Sequence, residues 1–114
     1  MELRILKDHQ VFNKDSLTKK ILYNTPETLC FILNLMPGQT IPPHQHEHSM
    51  LIATVLAGQC TVEVNGEKAP LSQGLALMVK GEETFGIPEV KSDLSLYVTL
   101  SPNPENPAYS KGIG

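Results

Sequence analysis

The chain has no tryptophan, and its other aromatic side chains are only three Phe and three Tyr among 114 residues. So sparse a set provides no row of stacking platforms for single-stranded nucleic acid. An excess of one charge is lacking too. Nine Lys and Arg stand against twelve Asp and Glu, a formal charge of −3, and the basic residues form no stripe that would follow a phosphate backbone. No apolar run approaches the roughly 20 residues of a membrane-spanning helix. Nucleic acid and membrane are therefore not expected as partners. The first residues, MELRILKDHQVF, are polar and charged where a secretory leader would be continuously apolar, so a cytoplasmic location is expected. Cysteine is limited to Cys30 and Cys60, which form no CxxC pair and are read as reduced, buried thiols.

What the chain does have is punctuation. Nine Pro and eight Gly leave little room for a long helix and predict many short strands in a single domain. The clearest strand lies near the end, where Leu94, Leu96, Val98 and Leu100 alternate with Asp93, Ser95, Tyr97 and Thr99. A second alternation, Cys60, Val62 and Val64 against Gln59, Thr61 and Glu63, runs into Asn65-Gly66. That dipeptide tolerates the positive φ angles of a two-residue hairpin turn, and the chain is expected to return from Glu67 to Leu71. Leu29 to Met36, interrupted only by Asn34, and Ser49 to Leu56, stopped by Ala57-Gly58, read as strands buried on most of their surface. Lys20 to Tyr23 and Leu75 to Val79 supply two more, and residues 1–16 carry no firm assignment. Residues 102–114, with three Pro and isolated apolar side chains, are expected to be an extended tail beyond a barrel of residues 1–101, mobile unless it docks on a neighbouring subunit.

The chemically dense stretch is Pro42-Pro43-His44-Gln45-His46-Glu47-His48-Ser49-Met50. On an extended chain, residues two apart share a face with Cα atoms about 6.5–7 Å apart, so His44 and His46 can reach one ion. His48 lies about 13 Å along such a strand from His44 and joins only if the backbone bends. Gln45 and Glu47 alternate with the histidines, toward solvent or a partner chain, and His9 reads as a surface residue. A solvated loop whose imidazoles only titrate is the plainer alternative.

The spacing Gly38, five residues, His44, one residue, His46, and then Gly58, resembles the first signature of the cupin superfamily, and Gly74 opens what looks like the second. The resemblance covers residues 28–102, is to small single-domain cupins of the type 2, RmlC-like kind, and implies an all-β double-stranded β-helix, a jelly-roll-like barrel. It also implies a divalent transition metal, Zn, Ni, Fe or Mn, held by His44 and His46 and by His48 if the strand bends. Two members of the family's usual ligand set are absent. Leu51, with Met50 beside it, stands where the family places its Glu, and Phe85 stands where it places a third His. Glu82 or Glu83 could supply an oxygen in their stead, and Met50 or Cys60 a softer sulfur. Met50, Cys60, Phe85 and Tyr97 are the further residues expected around a pocket for a small organic ligand, although the alternation also allows Tyr97 to face outward.

Three functions follow from the resemblance. The foremost is a cupin that binds a metal and a small molecule with little or no turnover; the others are a metal-dependent dioxygenase or isomerase, and a metal-free sensor or regulatory module. Single-barrel cupins commonly pair, so a homodimer is expected, with Met50 to Leu56 or Leu29 to Met36 gaining from a partner sheet.

Overall fold

In the computed structural model, which describes residues 1–114, seven antiparallel strands form one continuous folded sheet: β1 (Thr18–Asn24), β2 (Leu29–Leu35), β3 (Ile41–His44), β4 (Met50–Val64), β5 (Glu67–Ser72), β6 (Ala76–Val79) and β7 (Phe85–Ser101). No helix is long and apolar enough to cross a membrane. β4 and β7 pair along almost their whole lengths, from Met50 opposite Ser101 to Val64 opposite Phe85. Their outer neighbours change midway. The first half of β4 is flanked by β6 and the second half by β5, while β7 is flanked by β3 at its start and by β2 at its end. The result is two sheets that share the same two bent strands, which is the double-stranded β-helix.

This corrects the strand assignment from sequence in two places. Ala57-Gly58 does not end a strand; it is a bend within β4, where the register against β7 shifts repeatedly between Val55 and Glu63. The inward set changes phase across it, from Leu51, Ala53 and Val55 to Cys60 and Val62, all of them in the main core. β7 likewise begins at Phe85, well before the alternation at Asp93, and its inward set passes from Phe85 and Ile87 to Val90 and Leu94. Period-two patterning breaks at a bulge, so each bent strand reads as two elements or as half of one. The Asn65-Gly66 turn forms as expected, with φ of 52° and 81° and Val64 opposite Glu67.

Asn34, the one polar interruption of β2, is buried and fully engaged. Its amide donates to the His9 carbonyl (2.8 Å) and to Thr18 Oγ1 (3.0 Å), and its oxygen accepts from Ser95 Oγ (2.6 Å). The network ties the N-terminal segment, with its short 3-10 turn at Leu6–His9, across the outer face of the barrel. Leu22, Cys30 and Ile32 are buried there, with Leu6, Tyr23 and Tyr97 packed on them. The second apolar face of β2 is thus covered by its own chain. Cys30 and Cys60 are buried, free thiols, and burial pushes Cys60 up to about 11.

Residues 102–114 depart from the expected extended tail. They fold back over one end of the barrel as a strap with a single helical turn, α1 (Pro107–Ser110), capped by the Asn106 side chain. Asn103 anchors the strap by donating to Asn24 Oδ1 (2.6 Å) and the Thr25 carbonyl (2.7 Å). Its far end makes a bridge with β1, through Lys19 N–H to the Ile113 carbonyl (2.8 Å) and Ile113 N–H to that of Lys19 (2.9 Å). Backbone pairing, which composition does not report, supplies much of this docking.

Candidate ligand-binding site

One end of the barrel holds a half-open cavity of about 200 Å³. Phe31 and Leu33 come from β2, Leu51 and Ala53 from β4, Phe85, Leu96 and Val98 from β7, and Ala108, Tyr109 and Ile113 from the strap. The polar groups on this apolar wall are few: His44, His46, Lys19, Thr40 and Tyr109, with no carboxylate and no thiol.

His44 closes β3, and His46 follows it as the chain leaves the sheet. Their Nε2 atoms meet at 3.0 Å, with His46 buried. The proton positions follow from the partners. His44 Nδ1 lies 2.9 Å from the Pro42 carbonyl, which can only accept, so Nδ1 carries a hydrogen, and in the tautomer that this selects Nε2 is a lone pair. His46 then donates its Nε2 hydrogen to His44. Burial, and secondarily the neighbouring His44, push His46 down to about 4, so it is neutral at pH 7. The Tyr109 ring packs against His46 with centroids 5.2 Å apart, and its hydroxyl donates to the Gln45 carbonyl (3.0 Å).

His48 does not join this pair. The N–H of Ser49 donates to the carbonyl of His46 (2.9 Å), closing a turn in which His48 takes φ of 69° and faces solvent. The same-face geometry assumed for an extended chain ends at His46. Of the other expected pocket residues only Phe85 lines the cavity, its ring 6.1 Å from that of His44. Met50 is on the outer surface, Cys60 is buried in the core beyond the bend of β4, and Tyr97 packs on the outer face of β7 with Cys30. Burial foremost, and then Cys30, raise Tyr97 above the ordinary phenol range. Glu82 is exposed in an outer groove beside His48 and Glu47, and Glu83 accepts from Lys80 N–H (2.8 Å). Gln45 donates to the Glu82 carbonyl (3.0 Å) and so pins the histidine segment to the β6–β7 connection.

Two nitrogens about 3 Å apart suit a two-point bite on an ion some 2.0–2.1 Å from each. A closed centre does not form from these residues. No third His, Cys, Asp or Glu converges on the pair, and Leu51 and Phe85, both buried, occupy the cavity wall where the missing ligands would reach in.

Two lining residues escaped the reading of the sequence. Lys19 belongs with Leu17 and Ile21 on the inward face of β1, a period-two signal that was present but hidden beside Lys20. Tyr109 had no signal, because its place depends on the strap.

The bent pair of central strands, the shared sheets and the cavity at one end define a cupin barrel. Residues 31–98 match the Cupin_2 family model, a cupin domain, and the chain belongs to that family. It is 30% identical over 88 residues to the pectin degradation protein KdgF of Dickeya dadantii (strain 3937), covering 77% of this chain and 80% of that one. Among solved structures it is similar to TT1209 from Thermus thermophilus, with a TM-score of 0.83, 28% identity and coverage of 90% and 98% of the two chains. KdgF from Halomonas sp. superposes with a TM-score of 0.79 at 27% identity, covering 90% of this chain and 94% of that one.

Proposed function

We propose that this cupin binds a small organic molecule in its barrel, with the apolar wall taking the ligand's body and the His44–His46 pair offering a polar end, and that it turns its ligand over slowly or not at all. The observation that carries this reading is the cavity itself: concave, largely apolar, and convergent on a few polar groups. Its volume suits a compact molecule, since a cavity of roughly 150 Å³ already holds benzene. The case against efficient turnover is chemical. Three of the four ring nitrogens are taken up by the bond between the imidazoles and the bond to Pro42, and no carboxylate or thiol stands beside them.

Titration with toluene and benzyl alcohol, followed by NMR of the Leu51 methyl and His46 ring signals, tests the reading. Saturable shifts are expected in the unaltered protein. Ala53→Leu, which pushes a larger side chain into the cavity, is expected to weaken binding by about tenfold or more while the far-UV spectrum is kept. Shifts that do not saturate, or that survive Ala53→Leu, would count against the cavity as the site.

The 3.0 Å separation of the two Nε2 atoms favours a second reading, in which His44 and His46 also hold a divalent transition metal. Such an ion would polarise a bound oxygen or nitrogen group, and two imidazoles alone would hold it weakly. His44 already presents its lone pair with a carbonyl behind it; His46 must first move its hydrogen to Nδ1.

A homodimer through the outer face of β4 and β6 is also proposed. Met50, Ile52 and Met78 are exposed there, with Ile52 directly opposite Met78 in the ladder. Sedimentation equilibrium is expected to give a dimer, and Ile52→Lys with Met78→Lys a monomer; a monomeric unaltered protein would dispose of this interface.

A further inference from the structure

Lys19 is a buried cation without an anion. It is 6% exposed, it lines the cavity, and burial lowers its pKa below the ordinary lysine value. The chain's ion pair, Arg4 with Glu2, is elsewhere on the surface, and no acidic side chain reaches the cavity. What Lys19 Nζ has instead is the carbonyl of Tyr109 at 2.7 Å, that of Ala108 at 3.3 Å, and the Phe31 ring with its centroid 5.2 Å away. Carbonyl dipoles and a ring face stabilise an ammonium group but leave its charge uncancelled. Two of its three hydrogens are taken, one of them by a long bond. The third has the cavity available to it. A buried charge that its own chain does not neutralise costs free energy, and a ligand of opposite charge recovers part of that cost.

We infer that Lys19 is the charge-recognition residue of the pocket, and that the natural ligand is a compact organic anion whose carboxylate or similar group meets Lys19 Nζ while an apolar body fills the space between Phe31, Leu51 and Phe85. The inference rests on the ligand-binding reading above and narrows it to one chemical class. The His44–His46 pair is hydrogen-bonded internally, with His44 also held to the Pro42 carbonyl, whereas Lys19 has a hydrogen to spare. The strap takes part as well. Its Ala108 and Tyr109 carbonyls draw the ammonium group to the cavity rim, so the bonds that fasten the strap also orient the cation.

A purely structural Lys19, serving only to fasten the strap, would affect all ligands alike. Charge recognition affects only anions. The test therefore compares benzoate with benzyl alcohol, of similar size and shape but uncharged, by calorimetry at pH 7 on the full chain. The unaltered protein is expected to prefer benzoate by about tenfold, the scale of one hydrogen bond to a charged group. Lys19→Met, which keeps the apolar stem, is expected to bring the two affinities within about twofold of each other. Lys19→Arg is expected to retain the preference, and Lys19→Gln repeats the comparison if the Met variant does not fold. Equal binding of the two probes by the unaltered protein overturns the inference and leaves the pocket reading intact. A preference that persists in both Lys19→Met and Lys19→Gln overturns the role of Lys19. Failure of both probes to bind overturns the inference together with the reading beneath it.

Discussion

The double variant Leu51→Glu, Phe85→His is expected to bind one equivalent of Zn²⁺ or Ni²⁺ about a thousandfold more tightly than the unaltered chain, because it takes the site from two protein donors to four. The two nitrogens already stand 3.0 Å apart, and both replaced side chains already face the same cavity. Without metal the variant is expected to lose about 3 kcal/mol or more, since a buried Leu gives way to a carboxylate that must be desolvated and a buried Phe to a smaller, polar ring. Added metal should restore the melting temperature by binding only the folded state. Calorimetry against a competing chelator gives the affinities, and thermal unfolding with and without metal gives the stability. In the unaltered protein any residual binding should vanish in His44→Ala and survive in His48→Ala, because His48 lies on the outside of the turn. Submicromolar metal binding by the unaltered protein would show that Leu51 and Phe85 do not block the site.

Gly58→Ala is expected to cost about 4 kcal/mol or more, enough to unfold many domains of this size. A Cβ there would lie 2.1 Å from the Asp93 carbonyl oxygen and 2.7 Å from its carbon, and the residue has φ of +86°. Both obstacles are backbone, so no side-chain rotation relieves them. The contact occurs where β4 bends from one sheet into the other, and losing it separates the half of β4 that carries Leu51 and Ala53 from the half that carries Cys60 and Val62. Gly38→Ala provides the control. Its φ is +93° with nothing within 4 Å, so only the backbone strain remains, about 1–2 kcal/mol. Urea denaturation of the two variants separates strain from collision; equal losses would mean that the approach of Asp93 is not what makes glycine necessary at position 58.

The histidine pair was legible because a one-residue gap on an extended chain puts two side chains on one face whatever the rest of the protein does. His48 was not, because its direction is decided by the turn that Ser49 closes onto His46, and the sequence offers no glycine to mark that left-handed position. The apolar alternations were legible as strands, whereas their joining across Gly58 was not, since a bulge reverses the phase on which the alternation depends. Asn34 looked like a flaw in an apolar strand. Only the convergence of Thr18, Ser95 and the His9 carbonyl makes it a buried anchor.

By itself, then, the sequence determined a chain of short strands, the inward and outward alternation of the clearest of them, the Asn65-Gly66 turn and the shared face of His44 and His46, because each depends on neighbours within a few residues; the barrel was implied by the resemblance of the glycine and histidine spacing to the cupins. Tertiary structure decided what fills and closes the pocket. Leu51 and Phe85 meet the histidine pair from strands far apart in the chain, Lys19 is turned inward by its place in β1, and Tyr109 arrives on a strap held by backbone pairing with β1 and by side-chain bonds from Asn103, Lys19, Ser49 and Tyr109. Those contacts join residues as distant in the chain as Lys19 and Ile113, and the amide groups that make some of them are the same at every position of the sequence.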